Sequence, residues 1–335
     1  MDDVALLAGV SLKTVSRVIN EESYVSKQTS ERVWEAISTL GYRPHFQAAG
    51  LARRDGRTRM IGMLLAARPN PFWYEVRWSV EKCAARHASF VVSATLDGDL
   101  SRGRHILESM VSRQIDGLMV AIPSLREIAL IRELRVDVPI VVVDGLPFDS
   151  FSDSVMSDGR SGTVNALRHL VERGHQRVAY LGADSSLHTI QERTRGFMEE
   201  AERSGLDLNP EHVIEGLTED SAYEKVVQLL TSPDPPTALL TAQVMVTKGA
   251  IRALRELGLN DVIALVSFDD NDMFELMSPA ITVVAHDPVA IGQTAAERLF
   301  DRIDSSAPGR GHKLLPTKLI QRGSGELLPV VQHQP

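Results

Sequence analysis

The sequence predicts an α/β fold: a short all-α unit at the N-terminus, then two doubly wound parallel lobes. Three observations carry this expectation. Three short helical patterns crowd into roughly the first forty residues. From Met60 onward, short apolar runs alternate with longer amphipathic stretches, the pattern of parallel sheets covered on both faces. A stretch rich in Asp, Ser and Gly at 148–161 divides that alternation into two halves of similar layout. At 335 residues the chain has room for two or three domains of about 150 residues each.

The first helix is expected within Asp3–Gly9, where an acidic start precedes an apolar run and Gly9 can take the positive φ of a tight exit. Ser11 is placed to cap a second helix running from Leu12 to about Asn20. Val15, Val18 and Ile19 fall on one face of it, leaving Lys13, Ser16, Arg17 and Asn20 on the other. Ser26 is a cap candidate for a third helix running through Thr29, Val33, Trp34, Ile37 and Leu40, closed by Gly41. Two short helices at a small-residue turn with a third packed across them make a helix-turn-helix domain, assigned to 1–44. A polar segment, 45–58, follows Pro44 and reads as two turns of marginal helix that need a partner to order them.

The remainder, 59–335, is expected to form the two lobes. Strands are predicted at Met60–Leu65, Phe90–Ala94, Gly117–Ile122, Ile140–Asp144, Val178–Gly182, Ala238–Thr241 and Ile263–Phe268. Helices are predicted at Phe72–His87, Leu100–Arg113, Arg160–Arg173, Arg193–Ser204, Ala222–Leu230 and Val246–Leu257. One lobe takes roughly 59–156 and 286–315, the other 157–285 and 316–326. Ligands bind beyond the carboxyl ends of strands in such sheets, which here lie in the cleft between the lobes.

Composition narrows the function classes. Cys83 is the single cysteine, so no intrachain disulfide and no cysteine-rich metal cluster is expected. Met1-Asp2-Asp3 lacks the basic and apolar regions of a signal peptide, and no apolar run approaches the ~18 residues of a membrane span, so the protein is expected in the cytoplasm, away from membranes. The net charge of −8 conceals an asymmetry. Residues 1–59 hold nine Lys/Arg against seven Asp/Glu, a net of +2, and the rest hold 27 against 37, a net of −10. Arg53, Arg54, Arg57 and Arg59 cluster in the polar segment, as in a solvated linker or a nucleic-acid contact. No Gly-x-Ser-x-Gly elbow, phosphate-cradling glycine loop or His pair at metal-ligand spacing occurs, so neither an enzyme nor a cofactor is expected.

The run Asp3-Val4-Ala5, Ala8-Gly9-Val10-Ser11 and Thr14-Val15-Ser16-Arg17-Val18-Ile19-Asn20 closely resembles the headpiece of the lactose-repressor/galactose-repressor (LacI/GalR) family. The resemblance continues through Val25-Ser26, Leu40-Gly41-Tyr42-Arg43-Pro44 and Gly50-Leu51, and on through Asn70-Pro71-Phe72-Trp73, Gln114-Ile115-Asp116-Gly117 and Arg193-Thr194-Arg195-Gly196-Phe197. It implies lobes of periplasmic-binding-protein type and a transcriptional repressor that binds double-stranded operator DNA as a homodimer under the control of a small effector, a sugar or sugar derivative by preference. The helix opened by Ser11 becomes the recognition helix, with Leu12, Lys13 and Arg17 facing base edges in the major groove. Ser11, Thr14, Ser16, Asn20, Ser26 and Thr29 become phosphate and register contacts, and Leu51 a minor-groove wedge. In the cleft the resemblance assigns Asp158, Arg193 and Asp269 to a ligand's hydroxyls, Phe72 and Trp73 to its apolar face, and Thr189 and Gln243 to the remaining polar contacts.

The departures are informative. Gln243-Val244 stands where the family usually has Asn-Asp, which removes an acidic group from the cleft, and Leu187 replaces an Arg expected of a purine-responsive member. A few residues, including a phosphate-contacting Thr, usually precede the position of Asp3; either they precede Met1 in the full protein or the first helix has lost that contact. Leu327–Pro335 has no leucine heptad and two prolines, favouring a dimer over a tetramer. A solute-binding protein of periplasmic type shares the two-lobe layout, but would need an export signal and have no use for residues 1–57.

Overall fold

The computed structural model describes residues 1–19, 24–42, 56–66, 71–96, 99–121, 125–147, 152–206, 208–304 and 311–329. The proposed hinge therefore lies outside the described residues except for its last three positions, as do Asn20, Leu51 and residues 330–335.

The N-terminal unit is three helices, α1 Asp2–Ala8, α2 Leu12–Ile19 and α3 Lys27–Leu40. Four of the boundaries have a local cause. Gly9 (φ 63°) and Gly41 (φ 58°) close α1 and α3 in the left-handed conformation that glycine adopts without a Cβ penalty. Ser11 and Ser26 accept from the amides of Thr14 and Thr29 at 3.1 and 3.2 Å, satisfying helix-start donors. Val4, Val15, Val18, Val33, Ala36 and Ile37 meet in one small core. Trp34 and Leu40 do not join it: each is 45% exposed, because the inward stripe of α3 is Val33, Ala36 and Ile37.

The first lobe is a six-stranded parallel sheet, β1 Met60–Ala66, β2 Phe90–Leu96, β3 Gly117–Ala121, β4 Ile140–Val143, β5 Ser152–Ser157 and β11 His312–Leu315, in the order β11-β5-β4-β3-β1-β2. Its helices are α4 Pro71–Arg86, α5 Leu100–Ser112, α6 Leu125–Glu133 and α11 Pro288–Ile303. The second sheet comprises β6 Val178–Leu181, β7 Val213–Ile214, β8 Ala238–Thr241, β9 Ala264–Phe268, β10 Thr282–Ala285 and β12 Lys318–Ile320, ordered β12-β10-β9-β8-β6-β7. Only the β10–β12 pair is antiparallel. Its helices are α7 Gly159–Glu172, α8 His188–Arg203, α9 Glu219–Leu230 and α10 Val244–Glu256. The chain passes between the lobes after β5, after β10 and after β11, and each sheet carries its own apolar core.

Two sequence expectations change here. The stretch at 148–161 contains β5, a fully buried strand, whose Asp153 and Ser154 side chains find partners from the C-terminal part of the chain. Asp153, 1% exposed, accepts from the Gly311 amide at 2.5 Å and lies 3.3 Å from Arg302, and the Ser154 hydroxyl meets His312 Nδ1 at 2.5 Å. Helix α8 begins at His188, more than a turn before the predicted Arg193, which puts Thr189 and Arg193 on one face. The base of the hinge is tied to the first lobe: Arg57 pairs with Asp304 and donates to the Ile303 carbonyl at 2.7 Å, at the end of α11. Asp116 accepts from the amides of Thr58 and Arg59 at 2.9 and 2.7 Å.

Candidate functional site

Two regions gather the residues singled out from sequence. On α2, Val15 and Val18 face the core, which turns Ser11, Leu12 and Lys13 to solvent, with Thr14, Ser16 and Arg17 half-buried beside them. Leu12 is 45% exposed at the start of α2, beside Ser11 and Lys13. Ser11 and Ser26 also hold the hydroxyls of Thr14 and Thr29, at 2.9 and 2.8 Å, so these four residues first of all cap their helices.

The second region is the cleft. The carboxyl ends of β4, β8, β9 and β10 deliver Asp144, Gln243, Asp269 and His286; α8 delivers Thr189 and Arg193, and the start of α4 delivers Phe72 and Trp73. With Leu187 and Ile190 these residues enclose a cavity of about 30 Å³. Asp144 (φ 57°) and Asp269 (φ 72°) take the left-handed backbone that turns the chain out of its strand, a conformation Asp tolerates better than most residues and one that concentrates at functional sites.

Arg193 is the centre of this arrangement and is 3% exposed. Its Nη1 donates to the Ala242 carbonyl at 2.6 Å and lies 3.4 Å from Asp269 Oδ1, while its guanidinium carbon stands 3.6 Å from the centroid of Phe268. Gly159 leaves room for it, since a Cβ there would sit 3.2 Å from Arg193 Cγ. His286 Nε2 is 3.7 Å from the same Asp269 oxygen, and its ring rests against Phe72 at 4.5 Å between centroids. Phe72 in turn meets Trp73 edge-on at 4.7 Å, forming an aromatic wall.

The electrostatics are unbalanced. Burial pushes the Asp144 carboxyl above the ordinary carboxylate range, with Arg193 opposing, and pushes His286 below its usual value, with Asp269 opposing. Arg193 is the cation that opposes burial at Asp144 and pairs with Asp269. Four buried polar atoms of this set, Asp144 Oδ1, Asp269 Oδ1, Arg193 Nε and His286 Nδ1, have no hydrogen-bond partner among the described residues. Buried polar atoms are nearly always satisfied, and leaving one bare costs about 1–3 kcal/mol. Four converging on one cavity are the signature of a site built for another molecule's donors and acceptors.

Asp158 is placed elsewhere. Its carboxylate accepts from the Ser161 amide at 3.0 Å and caps α7, and it is not part of the cavity wall. Asp144 provides the second carboxylate in its stead. Sequence reasoning passed over Asp144, His286 and Ile190. Asp144 and His286 directly follow apolar strands, as Asp269 does, so the strand-end rule applied evenly would have found both.

A helix-turn-helix unit with a polar, half-exposed second helix, joined to two parallel lobes that close on a charged cavity, defines a ligand-responsive DNA-binding regulator. Within that class the chain belongs to the LacI family of bacterial regulatory proteins: residues 1–45 match that family and residues 167–325 match the periplasmic binding protein-like domain. It is 33% identical over 328 residues to the HTH-type transcriptional repressor PurR of Aliivibrio fischeri (strain MJ11), covering 96% of this chain and 97% of that one. It is 30% identical over 328 residues to the ribose operon repressor of Escherichia coli (strain K12), covering 97% and 99%. The crystal structure of the lac repressor dimer bound to operator and the anti-inducer ONPF superposes with a TM-score of 0.84 at 27% identity, covering 96% of this chain and 98% of that one. These relatives are transcriptional repressors and not enzymes, and no described helix is long and apolar enough to cross a membrane.

Proposed function

We propose that this protein represses transcription in the cytoplasm by binding a pseudo-palindromic operator as a homodimer, and that a sugar or sugar derivative in the interlobe cleft changes its affinity for DNA. The observation that carries the ligand half of this reading is the convergence, from both lobes, of buried atoms without a hydrogen-bond partner among the described residues: Asp144 follows a strand of the first lobe, and Arg193, Asp269 and His286 come from elements of the second. Two carboxylates and a guanidinium fork onto vicinal hydroxyls, and the Phe72–Trp73 wall covers an apolar ring face. Thr189 and Gln243 lie within reach of the same ring. A cavity of about 30 Å³ is smaller than a monosaccharide, so binding parts and re-closes the lobes.

That coupling is the switch. The division into a reader (1–44), a hinge (45–58) and two lobes assigns sensing and reading to different parts of the chain, and a ligand preferring one lobe arrangement shifts DNA affinity by its difference in affinity for the two. On the reader, Lys13 and Arg17 address guanine edges and Leu12 makes apolar contact, with Ser11, Thr14, Ser16, Asn20, Ser26 and Thr29 on phosphates and Leu51 wedging the minor groove. The repressor dimer on operator among the solved relatives supports the two-fold arrangement.

The PurR relatives make a purine the competing ligand. Leu187 in the cavity wall stands where a purine-responsive member is expected to carry an Arg, which counts against a purine although Thr189 is kept. Isothermal titration of the full chain with ribose, other monosaccharides, hypoxanthine and guanine decides between them. Heat from a sugar that vanishes in Arg193→Ala and Asp269→Asn is the expected result; binding of a purine alone, or sugar binding indifferent to both substitutions, overturns the assignment.

A further inference from the structure

Outside the small cavity, between α4 and the connection from β9 to β10, lies a larger pocket of about 460 Å³. Asp269 and His286 line both spaces and so form their common wall. The outer walls add Glu75 from α4, Asp270, Asp272 and Glu275 from the connection, and Arg322. Five carboxylates thus face one guanidinium. That guanidinium is committed, forking onto Asp270 at 2.9 and 2.7 Å, and it lies in the field of Glu275 as well. Glu75 and Asp272 form no ion pair with a cation among the described residues.

An acidic surface alone marks nothing, but the common wall supplies a second observation. Asp269 and His286 have side chains 7% exposed, and His286 Nδ1, beside the pocket, has no hydrogen-bond partner among the described residues. We propose that the ligand reaches from the inner cavity into this pocket and carries an ammonium group there, so that the effector is an amine-bearing sugar derivative. This rests on the sugar reading above and adds the charge of the ligand. Like charges lining a concave, partly buried wall reinforce one another's potential, drawing in a cation and opposing a phosphate or carboxylate.

The test titrates the full chain with glucosamine and galactosamine, with glucose and galactose, and with the two 6-phosphates, at low and at physiological salt. At least one amine binds about tenfold or more tighter than its neutral parent, the matching phosphate does not bind, and the advantage shrinks as salt screens it. In the E75Q/D272N/E275Q variant the ratio of amine to parent affinity falls to about one. A neutral sugar or phosphate binding as tightly as its amine, a preference that survives the triple variant, or no binding by either amine overturns the proposal. If a neutral sugar still binds and Arg193→Ala abolishes it, the cleft remains the ligand site and only the charge assignment fails.

Discussion

Arg193→Met removes the guanidinium and retains most of the stem's volume, which isolates charge from packing. In the folded protein Arg193 is 3% exposed, lies 3.4 Å from Asp269 Oδ1 and donates to the Ala242 carbonyl at 2.6 Å. Its loss leaves Asp269, 5% exposed, without its guanidinium partner. Breaking one side of a buried ion pair costs about 3–5 kcal/mol, more than the roughly 1–2 kcal/mol assigned to the lost contact with Phe268. For a lobe of this size about 1 kcal/mol moves the midpoint by roughly 2–4 °C, so calorimetry of the ligand-free protein should show a drop on the order of 10 °C. Asp269→Asn in the same background removes the stranded carboxylate and recovers at least about 1 kcal/mol against additivity. A shift below about 2 °C, or strictly additive single and double variants, would refute the claim that Arg193 balances the charge of the cleft.

Stability should also depend on pH and on helix packing in ways the structure specifies. Glu200, 1% exposed, has its pKa held down to about 2 by the hydrogen bond from Arg203, then by Arg168 and Ser204, against the opposing effect of burial. A carboxylate depressed in the folded state stabilises it fully above its unfolded value of 4.5, and that contribution is lost as pH falls from 4.5 toward 2. Wild-type melting temperature should therefore fall steeply across that window, and Glu200→Gln should be less stable at pH 7 with a shallower acid slope; parallel profiles would contradict this. Gly249→Ala places a methyl 2.2 Å from the Glu219 carbonyl, where α10 crosses α9, and should cost about 1–3 kcal/mol or more in urea denaturation, with an unchanged midpoint counting against so close a crossing.

How much was legible in the sequence follows the chemistry of each segment. The three N-terminal helices were readable because Gly9, Ser26 and Gly41 mark their ends with backbone requirements that few other residues meet. Strands such as β3 and β4 were readable as unbroken apolar runs. β5 was not: its Asp153 and Ser154 are buried with partners, His312, Arg302 and Gly311, that arrive from the far end of the chain. Helix α11 packs on α4 so tightly that a Cβ at Gly292 would lie 2.5 Å from the Val76 carbonyl, a contact invisible to local periodicity. In the cleft, Phe72, Trp73, Thr189, Arg193, Gln243 and Asp269 do come together around one cavity. Asp158 looked equivalent to Asp269 in sequence, yet its carboxylate is engaged in capping α7, and only the fold shows that Asp144 turns inward instead.

The central claim, that α2 reads a specific DNA sequence under ligand control, is tested most directly by selecting binding sites for the full chain from a random duplex library and measuring affinity for the winner. Enrichment of a two-fold symmetric site is expected, together with a fall in affinity of about 10- to 100-fold for that site in Arg17→Ala while salt-sensitive background binding persists. Failure to enrich any sequence, or an Arg17→Ala protein that enriches the same site with the same affinity, would contradict it.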